Sequence, residues 1–282
     1  MSKMADRLSY IQSQAGTKTL TLAFVVGDKG CTPTWLANSP VASDTTIISA
    51  IAKFRAAGGD IVIAFGGYDG LELAQTCNDV PSLQAAYQAV VDKYKLTVLD
   101  LDVEHTAIED PVSIDRRSQA LTALAAANPG IQINYTLPAT PAGLTDLSVN
   151  VIKSAVKFHT PVAIVNLMTM DYGAPVLTGA MGPDAVAAAA GAACQLKSLG
   201  LNAHIGITPM IGVNDTAGEM FTLDDAQVVV NYALANSTTV TWLAFWSIGR
   251  DNGGCFGKVS PYCSGLPQKE WDFTRIFQKF AQ

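Results

Sequence analysis

Leu96-Thr-Val-Leu-Asp-Leu-Asp-Val-Glu104 is the stretch on which the reading of the chain turns. Acidic and apolar residues alternate along it with the period of a β-strand. Asp100, Asp102 and Glu104 therefore share one face, and Leu99, Leu101 and Val103 share the other. Neighbours on one face of a strand stand roughly 6.5–7 Å apart. A surface strand could show such acids to water, but the apolar Val98-Leu99 start argues for burial on both faces. In a barrel of parallel strands the leucines pack under helices and the acids point to the centre. Glu104 then stands at the strand's C-terminal end, where such barrels carry their chemistry.

Outward from this strand, short β-branched runs alternate with Ala-rich helical segments. Strands are expected near Leu20, Ile61, Leu96, Ile131, Val162, Ala203 and Val240. A spacing of about 35 residues suits repeated strand–helix units with parallel strands and right-handed crossovers. The runs TLAFVV, IVIAFG and AIVNLM are almost wholly apolar, as strands covered on both faces should be. Ser43 and Thr222 read as helix N-caps, with Asp225 completing a capping box. The expected fold is α/β, a (β/α)8 TIM barrel with its first strand absent or reduced, because residues 5–15 read as a helix. Residues 1–282 form a single barrel domain with no linker. A barrel left open on one side would expose strand edges and favour association; otherwise a monomer is expected.

At 282 residues with 15% charged residues and a net charge of −6, the chain can bury a large core. It holds no cluster of Lys or Arg, which argues against nucleic acid as a partner. No apolar run reaches a membrane span. Met1–Asp6 is polar, without an apolar signal region. Cys31 and Cys77 each follow a strand, in loops on one face, and Cys255 and Cys263 lie close together in a Gly-rich loop. They point to an oxidising compartment, four reduced thiols being the alternative. A secreted, extracellular enzyme whose signal sequence is not in this chain fits best. Cys194 reads as a core thiol.

Three carboxylates converging in a low-dielectric interior cannot all stay ionised, so repulsion and desolvation should raise at least one pKa. The row would then hold a proton able to serve a leaving group near neutral pH. A divalent metal is the rival reading, but acids two residues apart on one strand form a line rather than a cage. His105, next to Glu104, should point to the other strand face as a structural histidine.

These features resemble the family 18 glycoside hydrolases, the chitinases of archaeal type in particular. Asp100, Asp102 and Glu104 match the last three acids of that family's Asp-Gly-x-Asp-x-Asp-x-Glu strand, with Thr97 and Val98 replacing its opening Asp-Gly. Ala64-Phe-Gly-Gly67 is similar to the Ser-x-Gly-Gly motif without its serine. Val165-Asn-Leu-Met-Thr-Met-Asp-Tyr-Gly173 resembles the Met-x-Tyr-Asp strand, and Leu243-Ala-Phe-Trp-Ser-Ile-Gly-Arg-Asp251 the last strand with its stacking tryptophan. Ile207–Asp215 and Trp271–Phe277 resemble the archaeal branch.

The resemblance implies a retaining, substrate-assisted hydrolysis of chitin or N-acetylglucosamine oligosaccharides, without cofactor or metal. Glu104 would be the general acid, Asp102 would orient the acetamido group, and Asp100 would hold the proton balance beneath. Tyr172 would stand in for the family's sixth-strand tyrosine, whose aligned position is Met170. Asp171, Met168 and Asp215 would line the sugar site, and Trp246 would form its apolar floor. Trp35 is either an outer sugar platform or a packed loop residue. The alternatives are an endo-β-N-acetylglucosaminidase and an inactive chitin-binding lectin.

Overall fold

The computed structural model describes residues 3–27, 30–36, 38–173 and 179–281. The chain divides into two compact units, Met1–Thr136 with Asn150–Ala163, and Leu137–Val149 with Ile164–Gln282.

The first unit opens with helix α1 (Lys3–Ala15) and strand β1 (Thr19–Gly27). Two short strands, β2 (Pro33–Trp35) and β3 (Ser39–Pro40), fold back antiparallel on the end of β1. There follow α2 (Thr46–Ala56), β4 (Asp60–Gly66), α3 (Leu73–Thr76), α4 (Val80–Tyr94), β5 (Val98–Asp102), α5 (His105–Glu109), α6 (Pro111–Ala127) and the first half of β6 (Gln132–Thr140). Strands β1, β4, β5 and β6 are parallel neighbours in that order, with Leu22 beside Ile63, Ile63 beside Leu99 and Leu99 beside Ile133. Ile61 to Phe65 are all buried, as a strand covered on both faces requires. Helix α4 closes one face with Leu83, Ala86, Tyr87, Val90, Val91 and Tyr94, a 3.6-residue stripe. Its cap is Asp79, whose carboxylate accepts the Ser82 N–H at 2.8 Å. At α2 the capping acceptor is Asp44 rather than Ser43. The Asp44 carboxylate takes the N–H groups of Thr46, Ile47 and Ile48, while Ser43 ends a 3-10 turn.

The second unit contains β7 (Gly143–Leu144), the start of α7 (Asp146–Lys157), β8 (Val162–Met168) from Ile164 onward, α8 (Met181–Leu199) and β9 (His204–Thr208). Then come β10 (Gly212–Val213), β11 (Met220–Phe221), α9 (Leu223–Ala235), β12 (Val240–Leu243) and α10 (Asp272–Phe277). Strands β8, β9 and β12 are parallel neighbours, and β10 and β11 form a separate antiparallel pair. Thr222 caps α9 in the expected box with Asp225. Helix α8 packs its alanines inward at 185, 188, 189 and 192, and a side chain at Gly191 would strike the Ala142 carbonyl. Cys194 falls on the opposite side of that helix and is exposed, not a core thiol.

Seven parallel strands stand where seven were expected, and no eighth lies among the described residues. Cys31 is bonded to Cys77 and Cys255 to Cys263. No helix among the described residues is long and apolar enough to cross a membrane.

Candidate active site

In the first unit, Leu99, Leu101 and Val103 are fully enclosed, and Asp100 and Asp102 are buried on the opposite face of β5. Both oxygens of the Asp100 carboxylate lie within hydrogen-bond reach of the Thr136 hydroxyl, at 2.8 and 3.0 Å. Burial pushes its carboxyl up to about 7 against the lowering effect of Thr136. Asp102 is also raised well above the carboxylate range, by burial first and then by the charges of Glu104 and Asp100. Its Oδ1 is buried without a hydrogen-bond partner among the described residues. Desolvation, more than mutual repulsion, is thus what keeps protons in this row.

Glu104 stands two residues past the end of β5, half-buried, in extended conformation at the start of α5. The strand end is held by its neighbours on both sides. Val103 N–H bonds the Thr136 carbonyl at 3.1 Å, and Gly67 N–H bonds the Asp102 carbonyl at 3.0 Å. That second approach requires glycine. A Cβ on Gly66, at φ 94°, would come within 2.2 Å of the Asp102 carbonyl oxygen. Behind the Gly66-Gly67 turn lies a fully enclosed ion pair, Glu72 with Arg117, bonded through Arg117 Nε at 2.9 and 3.1 Å and through Nη2. The Tyr87 hydroxyl donates to the same carboxylate at 3.0 Å.

His105 does not lie on a strand face. It begins α5 at φ 50°, exposed, with its ring stacked on Tyr68 at 4.6 Å. Tyr68 is 63% exposed and was missed in the sequence, although it directly follows the Gly66-Gly67 turn. Trp35 is a packed residue and not a platform: it is buried, and its indole N–H donates to the Tyr94 hydroxyl at 2.9 Å.

In the second unit, Met168 ends β8 half-buried, and Asp171 and Tyr172 follow in a loop. The Asp171 carboxylate accepts the Thr216 N–H at 2.7 Å. The Tyr172 phenol is raised by burial and then by the charges of Asp184 and Glu219. It faces Thr169 but finds no hydrogen bond of good geometry among the described residues. Asp215 is exposed next to Thr216, and the buried Arg250 feels the charges of Asp215 and Asp171. Trp246 lies just past β12, 43% exposed, with its backbone bonded to Pro209 and Ile211. The second residue missed in the sequence is Glu219, buried against the Tyr172–Gly173 backbone.

No family model matches the chain. Solved structures of chitinase from Pyrococcus furiosus, one of them complexed with chito-oligosaccharides, match it with a TM-score of 0.86 at 33% identity over 97% of this chain and 89% of that one. The probable bifunctional chitinase/lysozyme of Escherichia coli (strain K12) is 36% identical over 285 residues, 93% of this chain. Endochitinase 11 of Metarhizium anisopliae is 36% identical over 249 residues, 82% of this chain. The chain spans 31% and 47% of the length of these two relatives. Fold and buried acid row together define the class of α/β-barrel glycoside hydrolases. Within it, the chain belongs to family 18, beside the chitinase catalytic domains of archaeal type.

Proposed function

We propose that this chain hydrolyses the β-1,4 bonds of chitin and its oligosaccharides with Glu104 as general acid, residues 1–282 acting as one catalytic domain. The observation that carries the reading is the row Asp100, Asp102 and Glu104, in which burial raises the two aspartates and keeps protons available near neutral pH.

Glu104 gives its proton to the glycosidic oxygen as the bond to the anomeric carbon breaks. The carbonyl oxygen of the sugar's own N-acetyl group attacks that carbon and forms an oxazolinium ion. Asp102 orients the acetamido N–H and, as a carboxylate while the proton of the row resides on Asp100, offsets the positive charge. Water then opens the ring while Glu104, now a carboxylate, takes its proton, which returns the acid and retains the configuration. Tyr172 donates to the acetyl oxygen, Asp171, Met168 and Asp215 line the site, and Trp246 stacks on the apolar face of the ring. The chemistry uses the substrate's own nucleophile and calls for no metal or cofactor. The two disulfides support an extracellular setting.

Glu104→Gln keeps the side chain's shape and removes its dissociable proton. Hydrolysis of a chitin oligosaccharide should fall by roughly 10²–10⁴-fold while the oligosaccharide still binds. Equal activity in both proteins would remove Glu104 from the mechanism. Binding without turnover in the unaltered chain would make it a lectin.

A further inference from the structure

We infer that Glu219 is a positioning residue for Tyr172, acting through a carboxylate clasp between the loop that follows β8 and the turn that precedes β11. The inference rests on the reading of Tyr172 as the donor to the substrate's acetyl oxygen. Glu219 is only 2% exposed, and its side chain reaches across 46–47 residues of sequence. Its Oε1 accepts the Gly173 N–H at 2.8 Å and its Oε2 accepts the Tyr172 N–H at 3.1 Å. Two successive backbone N–H groups aimed at one anion form a nest, and hydrogen bonds to a charged acceptor are about twice as strong as neutral ones.

The clasp is reciprocal. Asp171, one residue earlier, sends its carboxylate the other way and accepts the Thr216 N–H at 2.7 Å. Thr216 in turn accepts the Glu219 N–H through its carbonyl at 3.1 Å, and the Glu219 carbonyl accepts the Asn214 N–H at 3.0 Å. Turn and loop thus exchange carboxylates, each binding the other's main chain. The loop needs such an external hold. Asp171 sits at φ 49°, a left-handed conformation unfavourable to a residue with a Cβ, and Gly173 follows at φ 72°. Glu219 thus fixes the backbone that aims the Tyr172 phenol on the side that Asp171 does not hold. The phenol is buried beside Thr169 and finds no hydrogen bond of good geometry among the described residues, so the main chain that carries it matters to its direction.

The test is a double-mutant cycle of Glu219→Gln and Tyr172→Phe on chitin-oligosaccharide hydrolysis, with melting temperature followed in parallel. The amide keeps one acceptor and turns a donor toward a backbone N–H, so kcat should fall roughly ten- to a hundredfold, from misplacement of a binding group. KM should change much less. In the Tyr172→Phe background, where the phenol is already gone, Glu219→Gln should add little. Glu219→Asp, which restores the charge on a shorter arm, should recover part of the activity and covers the case in which the amide variant does not fold. Losses that multiply in the double variant, or a Glu219→Gln enzyme with unchanged kcat, would overturn the positioning role. A Tyr172→Phe enzyme as active as the parent would overturn the reading of Tyr172 itself, whatever Glu219 does.

Discussion

The acids of the first unit and the second-unit residues proposed to meet the sugar are built on opposite plans. Asp100 and Asp102 sit within a strand whose other face is sealed by Leu99 and Leu101, and one hydroxyl, that of Thr136, serves Asp100. Met168, Asp171, Tyr172, Asp215 and Trp246 stand at or just past strand ends, half-buried or exposed, and the segments of Asp171–Tyr172 and Asp215 are stapled by carboxylate-to-backbone bonds. Under the proposed function, the difference is one of task. Holding a proton at neutral pH needs a low dielectric and few partners, which only a covered strand supplies. Meeting a polymer needs open area, which only loops supply, and precision there comes from clasping the backbone.

The first way to break this contrast is to unseal the covered side. Glu72 and Arg117 are enclosed together behind the turn that touches the Asp102 carbonyl. Glu72→Gln would leave a guanidinium buried without its counter-charge, at a cost of about 3–5 kcal/mol. Replacing both partners by methionine should recover much of that stability, because two desolvated charges go at once. Denaturant unfolding of the single and double variants checks this. A single variant within 1 kcal/mol of the parent would mean that the pair does not hold the covered side.

A smaller effect follows from the proton on Asp100. Its folded-state pKa of about 7 lies above the ordinary 3.8. Below pH 4 the group is protonated in folded and unfolded chains alike. Between pH 4 and about 7 the unfolded chain releases the proton while the folded one keeps it, so folding stability falls as pH rises through this window, by about 1.4 kcal/mol per pH unit for one proton. Asp102, raised in the same direction, adds to the fall. Asp100→Asn should flatten the decline between pH 4 and 7 in thermal melts at a series of pH values. A wild-type stability that rises across that window would contradict the burial of the row.

Period alone placed Asp100, Asp102 and Glu104 on one face, and the alternation of strands and helices placed all seven strands. Those are local properties, written within ten or thirty residues. What stayed hidden depends on where distant segments land. Glu72 meets Arg117 45 residues on, Trp35 meets Tyr94 59 residues on, and Glu219 meets Tyr172 across 47. Nothing in any of those segments names its partner. Cys194 is a different case. Its outward position follows from the phase of the buried alanines, but a run that is almost all alanine hides the 3.6-residue period until the buried side is known.

Trp246 gives the finest test, because it is where the open side should act through its exposed surface. The residue is 43% exposed just past β12, while its backbone is fixed by bonds to Pro209 and Ile211 that do not involve the side chain. Trp246→Ala should therefore leave the strand end and the melting temperature nearly unchanged. Aromatic stacking is worth about 0.5–1.5 kcal/mol beyond area burial, so binding of a chitin oligosaccharide should weaken by roughly two- to tenfold. Contact with a sugar face is made equally before and during the reaction, so the loss belongs in KM, with kcat preserved. Titration of the Glu104→Gln protein with and without Trp246→Ala, beside steady-state kinetics in the active background, separates the two. If kcat falls as far as it does on loss of the Glu104 proton, then Trp246 belongs with the buried acids in function, and the division between a sealed chemical side and an open binding side does not hold.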